Sequence, residues 1–184
     1  MRFLFFCGSL RTGSFNKKLL LVAQTILAQE PDCAAELVDL RELNIPVYDG
    51  DIEEKGIPEG VKKLGQLIQA CDGLVIASPE YNWSIAGSLK NTIDWLSRLR
   101  PVPLEGKPVL LMGTSSGAFG AVRGLAHTRA PFETLGSYLY PQPFSLPKNE
   151  EAFTASGELT DPSTEKRLWS LIKKYIQFAK KFNS

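Results

Sequence analysis

The sequence predicts an α/β fold: a three-layer sandwich in which a five-stranded parallel sheet, ordered 2-1-3-4-5, is covered by helices on both faces. Three observations predict it. Short apolar runs alternate five times with amphipathic helical patterns along the 184 residues. The runs are continuous rather than alternating, as Val109-Leu110-Leu111-Met112 shows, and continuity marks strands buried on both faces. Three of the runs end in loops of glycine, hydroxyl and polar aromatic residues, where an open α/β sheet builds its ligand sites.

The first strand is expected over 2–7, with Gly8 ending the apolar run, and a helix follows over 15–29 with Leu19, Val22, Ala23, Ile26 and Leu27 on one side. The second strand, over 34–39, closes on Asp39, which reads as a loop or capping residue because no G-x-G-x-x-G follows strand one. A polar connection over 43–58 leads to a helix over 59–71 and a third strand over 73–78. The next helix, over 87–99, carries Trp95, Leu96 and Leu99 as packing residues, and Lys90 and Asp94 at the spacing of a surface ion pair.

A fourth strand over 108–113, a helix over 119–129 and a fifth strand over 137–140 complete the alternation. Segment 141–161 contains Pro141, Pro143, Pro147 and a charged run, and is too long for a routine connection. A solvated connector, a part of the site rim and a subunit contact all fit it. The last helix, over 163–182, has Asp161 as its cap and Pro162 where a missing N–H costs nothing. Its stripe of Leu168, Leu171, Ile172, Tyr175, Ala179 and Phe182 lies opposite Lys166, Lys173 and Lys180.

This length fits one domain over 1–184 with a core large enough to need no disulfide or metal. The 21 basic and 20 acidic residues leave a net charge of +1, and the basic ones are dispersed. That balance argues against nucleic acid or a membrane surface as partner and favours a small molecule. The N-terminal apolar run stops at Gly8, short of a signal-peptide core, which gives a cytoplasmic expectation. Cys7, Cys33 and Cys71 have no C-x-x-C spacing and read as reduced structural thiols, and no metal site is expected.

In the order 2-1-3-4-5, strands 1, 3 and 4 are neighbours, so the three marked loops meet on one rim. The first loop supplies Ser9, Arg11, Thr12, Ser14 and Asn16 at a helix N-terminus, where amide N–H groups and the macrodipole favour an anion. Gly8 and Gly13 have Walker A spacing, but Ser14 stands where the lysine belongs, so a nucleoside triphosphate is not expected. Hydroxyls with one arginine suit a terminal monophosphate. A strand-to-helix turn also selects Ser and Gly for its own geometry, and both readings stay open on this loop alone.

The segment PEYNWSIAGSLKNTIDWLSR over 79–98, with GSLRTGSFN and the SSGAFG turn, resembles the NAD(P)H-dependent FMN reductases, the flavodoxin-like group that includes quinone and chromate reductases. The order of elements is similar over nearly the whole chain. The resemblance implies bound FMN, with NADPH or NADH as hydride donor and quinones, free flavin, azo compounds or oxidised metals such as chromate as acceptors. It implies that Ser9, Arg11, Ser14 and Asn16 hold the FMN phosphate. Pro79, Glu80, Tyr81 and Asn82 would line the isoalloxazine largely through backbone groups, and Ser115, Ser116 and Gly117 would border it from strand four. It further implies a homodimer or homotetramer.

No residue is assigned as general acid or base, since the flavin does the redox chemistry and the protein orients the rings. The chain departs from the family pattern at Ala86, where members commonly carry Pro, and at Ala121, where they carry a second Gly. Two other readings compete. One is a non-enzymatic flavodoxin-type electron carrier. The other is a serine hydrolase, because Gly113-Thr114-Ser115-Ser116-Gly117 matches G-x-S-x-G, although the one histidine, His127, follows without an intervening acid strand.

Overall fold

Each apolar run becomes a strand because its backbone groups pair with neighbours on both sides while its side chains meet helices above and below. The computed structural model describes residues 1–183. In chain order the elements are β1 (Arg2–Cys7), α1 (Phe15–Ala28), β2 (Ala34–Val38), α2 (Gly50–Glu54), α3 (Glu59–Gln69), β3 (Gly73–Ala77), β4 (Glu80–Tyr81) and β5 (Ser84–Ile85). They continue with α4 (Gly87–Leu96), β6 (Pro108–Thr114), α5 (Val122–Thr134), β7 (Tyr138–Leu139), β8 (Phe144–Leu146), α6 (Asn149–Ala152) and α7 (Pro162–Lys180).

The main sheet is parallel and runs β2-β1-β3-β6-β7, the expected order with β6 as the fourth strand, in a flavodoxin-like arrangement. Its fifth position differs from expectation in being shared by two strands. β7 pairs with Pro108 and Val109 of β6, whereas β8 pairs with Met112, Gly113 and Thr114 further along. Pro141 and Pro143 have no N–H to give a ladder, so the strand breaks where they stand and resumes at Phe144.

Two connections are also more ordered than expected. Within 43–58 lies α2, whose first turn is capped by Asp49, and just before it Asp39 caps a 3₁₀ turn over Leu40–Leu43. The loop after β3 folds back as the β4–β5 hairpin, with Tyr81 opposite Ser84. Asn82 and Trp83 between them have φ of 50° and 65°, the two positive values a type I′ turn requires.

Successive strand residues face opposite layers. Phe3, Phe5, Val75, Leu110 and Met112 pack on Leu19, Leu20 and Ala23 of α1 and on Leu168, Ile172 and Tyr175 of α7. Leu4, Phe6, Leu74, Ile76, Val109 and Leu111 pack on α3, α4 and α5 through Leu64, Ile68, Leu89, Ile93, Leu125 and Phe132. Each such side chain contributes about 1.5–3 kcal/mol by leaving water. The expected α7 stripe is buried except Phe182, which lies past the helix end and is half-exposed. Asp161 accepts from the N–H groups of Ser163 and Thr164, as its capping role demands. Cys7 and Cys71 are buried and Cys33 is half-buried.

Three strand ends are stitched together above this core. Gly8 donates its N–H to the Ala77 carbonyl at 2.8 Å, and Ser78 donates to Met112 at 2.8 Å. The loops after β1, β3 and β6 therefore leave the sheet side by side.

Candidate functional site

The loop after β1 presents an unfilled helix N-terminus. Ser14 caps α1 by accepting from the Lys17 N–H at 3.3 Å, while among the described residues no protein group accepts from the N–H of Phe15 or Asn16. Gly13 gives the turn its φ of 72°, a left-handed conformation that a side chain would strain. Ser9 and Ser14 are buried beneath the loop and Arg11 is exposed above it.

Asn16 is placed differently from a simple phosphate ligand. Its Nδ2 donates to the Thr114 carbonyl at 3.0 Å and its Oδ1 accepts from the Thr114 N–H at 2.9 Å. The side chain therefore locks the first loop to β6, and only its backbone N–H is left to face the cleft.

Sequence reading missed the brace behind this loop. Lys17 donates to Asp39 at 2.7 Å, and Arg41, 3.4 Å from the same carboxylate, donates to the Thr12 hydroxyl at 3.1 Å. The bond from Lys17, with help from the Arg41 backbone and side chain, holds the Asp39 carboxyl down to about 2. Arg11, Lys17 and Arg41 outnumber Asp39, so the loop region keeps a positive bias. The signal was long-range in sequence and carried no motif.

Pro79, Glu80 and Tyr81 line the second side of the cleft. The Glu80 side chain points to α5, where its Oε2 accepts from the Gly124 N–H at 2.8 Å. Ala121, at the start of α5, has no capping side chain, so Glu80 supplies from the hairpin the acceptor that the helix lacks locally. Only glycine fits at 124, because a Cβ there would come within 2.9 Å of Glu80 and 3.0 Å of the Ser84 carbonyl. Asn82 sits in the hairpin turn rather than in the cleft wall.

Ser115 and Ser116 form the third side. The Ser115 hydroxyl accepts from Ala121 N–H at 3.1 Å, and its carbonyl accepts from Asn149 at 3.1 Å. Lys148 donates its N–H to Gly117 at 3.3 Å. Segment 141–161 is thus part of the site rim, since β8 and α6 buttress this loop and Asn149 lines the cleft. Ala121 has φ of 68°, the left-handed value that explains the glycine expected there. His127 lies 3.1 Å from the Ser84 hydroxyl instead of beside Ser115, so no hydrolase triad forms.

The three loops enclose a cleft of about 180 Å³ lined by Ser9, Arg11, Ser14, Asn16, Pro79, Glu80, Tyr81, Ser115 and Ser116, with Phe15, Thr114 and Asn149 added. Of the expected residues, Asn82 and Gly117 fall just outside the lining, and the position of a Gly117 side chain is open space. Larger grooves of about 620 and 610 Å³ lie against α7 and α1 and share no lining residue with this cleft. Among the described residues no acid, cysteine and histidine cluster could hold a metal, and no helix is long and apolar enough to cross a membrane.

Comparison with known proteins agrees with this geometry. The family model described as NADPH-dependent FMN reductase matches residues 1–151. An NAD(P)H-dependent FMN reductase of Pseudomonas aeruginosa is 39% identical over 155 residues, 84% of this chain and 82% of the relative. A quinone reductase of Escherichia coli K12 is 37% identical over 178 residues, 93% of this chain and 91% of that one. The solved structure of FerB, a flavoenzyme NAD(P)H:(acceptor) oxidoreductase of Paracoccus denitrificans, is similar with a TM-score of 0.85 and 30% identity, covering 98% of each chain.

Proposed function

Since this chain belongs to the NADPH-dependent FMN reductase family, oxidoreductases that use FMN with NAD(P)H as electron donor, we propose that it reduces quinones at the three-loop cleft. The observation that carries the reading is the convergence of the unfilled α1 N-terminus, Arg11 and two backbone-rich loops on one cleft. The residues fit FMN by the chemistry of their donors. Two free amides, the hydroxyls of Ser9 and Ser14 and the Arg11 guanidinium suit a phosphate dianion.

Redox chemistry, the passage of two electrons from NAD(P)H to the acceptor, is supplied by FMN. The chain's own part is to hold and orient. Ser9, Arg11, Ser14 and the backbone of Asn16 bind the phosphate. The backbones of Pro79, Glu80 and Tyr81 would flank the ring on one side and those of Ser115 and Ser116 on the other, with Asn82 and Gly117 just beyond them. Glu80 keeps the hairpin in register with α5, and fixing donor and acceptor against one surface provides rate through proximity. No side chain has to move a proton.

On this reading free flavin, azo compounds and chromate are further acceptors, since the lining of the cleft supplies mainly backbone groups and no side chain dedicated to one acceptor. The working form is a homodimer or homotetramer in the cytoplasm. The test is direct: purify the protein, titrate it with FMN, and follow NAD(P)H oxidation with a quinone. Saturable FMN binding with quinone-dependent turnover is expected; a protein that binds FMN without turnover would be a carrier, and one that binds none would end the proposal.

A further inference from the structure

The last helix departs from the charge balance of the chain. Over Pro162–Lys180, α7 carries Lys166, Arg167, Lys173, Lys174 and Lys180 against one acid, Glu165, in a protein of net charge +1. Lys173 has a partner, Glu30 at 3.2 Å. Among the described residues Lys166, Arg167 and Lys174 pair with no carboxylate, and all three line one groove of about 620 Å³ between α7 and residues 142–145 at the edge of the sheet. No acidic residue lines it. Asp161, at the start of the same helix, is taken up by its cap, accepting from the N–H and hydroxyl groups of Ser163 and Thr164.

The groove has the size of a small-molecule site and an apolar floor, where Phe144 and Leu171 are buried. The Arg167 guanidinium lies over the Phe144 ring, 4.6 Å from its centroid, and donates to the Ser145 carbonyl at 3.2 Å. Those contacts fix the group and leave the rest of its five N–H donors for an oxyanion. Lys166, Ser170 and Lys174 follow one another at i, i+4 and i+8, so the two lysines leave the helix about 12 Å apart along its axis. One oxyanion meets only part of a row that long; linked oxyanions meet all of it. Like charges gathered in one groove repel, and a polyanion relieves that repulsion.

We propose that the α7–β8 groove is a second ligand site and that it takes a small soluble molecule carrying two or more linked phosphate groups. It shares no lining residue with the three-loop cleft and stands independently of the redox reading.

The probes are orthophosphate, pyrophosphate and tripolyphosphate, titrated calorimetrically into FMN-saturated protein so that the loop after β1 is already filled. Affinity should rise with each added phosphate and fall as salt is raised. The double variant Lys166→Ala/Lys174→Ala should bind tripolyphosphate about tenfold more weakly, while FMN affinity and quinone turnover stay at the wild-type level. Arg167→Lys should also weaken binding, because an ammonium neither lies flat on Phe144 nor presents a fork of donors.

No heat with any of the three probes overturns the proposal, and so does equal affinity for all three, which marks an adventitious ion only. Tripolyphosphate binding that is unchanged in the double variant places the anion elsewhere and overturns it too. Vesicles of phosphatidylglycerol in phosphatidylcholine separate a lipid source of the same chemistry. Sedimentation with those vesicles, without binding of soluble tripolyphosphate, would make α7 a membrane-docking face and end the soluble-ligand site.

Discussion

Asn16 and Thr114 are bonded to each other twice, the buried amide side chain accepting from the Thr114 N–H at 2.9 Å and donating to its carbonyl at 3.0 Å. A residue ninety-eight positions upstream thereby fixes the backbone from which the third loop departs. Replacing Asn16 with Ala would leave a buried N–H and C=O unpaired. Asn16→Ala should therefore cost about 2–4 kcal/mol in urea unfolding, and FMN affinity should fall because two loops lose their common anchor.

Glu80 performs a similar service for the second loop. Its carboxylate occupies the position of a missing cap on α5, 2.8 Å from the Gly124 N–H. Glu80→Ala should destabilise the protein by about 1 kcal/mol and weaken FMN binding, whereas Glu80→Gln, which keeps an acceptor of the same length, should recover most of both. Denaturation midpoints and FMN titration of the two variants separate capping from a direct electrostatic role. Equal losses in both would contradict the cap.

The sheet and the three-loop rim were legible in the sequence because both follow from local patterns. Apolar runs such as Val109 to Met112 announce buried strands, and Gly-Ser clusters announce where they end. What was not legible depends on partners far away in the chain. That the Asn16 side chain spends its amide on Thr114, and that the Glu80 carboxylate, in a residue lining the cleft, also accepts from Gly124, are both set by partners distant in the chain. The split fifth strand was foreshadowed by Pro141 and Pro143, yet its second half, β8, is too short to declare a period of its own.

Acid should expose the brace behind the first loop. Asp39 falls from 3.8 to about 2, chiefly through its bond from Lys17. A carboxyl whose folded value lies below its unfolded one contributes stability above about pH 4, lost as pH falls toward about 2. With the Lys17 and Asp39 side chains 32% and 21% exposed, solvent screening reduces the contribution to about 1–2 kcal/mol. Asp39→Asn should be less stable than the wild type at pH 7 by that amount, and the two should converge near pH 2. Asp161, also held to about 2, titrates in both proteins and cancels in the comparison. Parallel stability curves across pH 2–5 would show that the Lys17 bond contributes nothing to folding.

Ala86 offers a test of how far the chain's departures from its family are tolerated. It has φ of −63° and ψ of 133° at the start of α4, which is the conformation proline imposes. Its carbonyl accepts from Lys90 at 2.9 Å, and among the described residues nothing accepts from its N–H, so a proline would break no bond. Ile85 before it is already in the extended β5, as a residue preceding proline must be. Ala86→Pro should therefore stabilise the protein by about 0.4–1 kcal/mol through the unfolded chain, read as a higher urea midpoint at unchanged m-value with FMN affinity preserved. Ala86 is fully buried, so a lower midpoint would mean that the surrounding core has closed over the space a pyrrolidine ring needs. Its alanine would then be a packing choice made together with its neighbours.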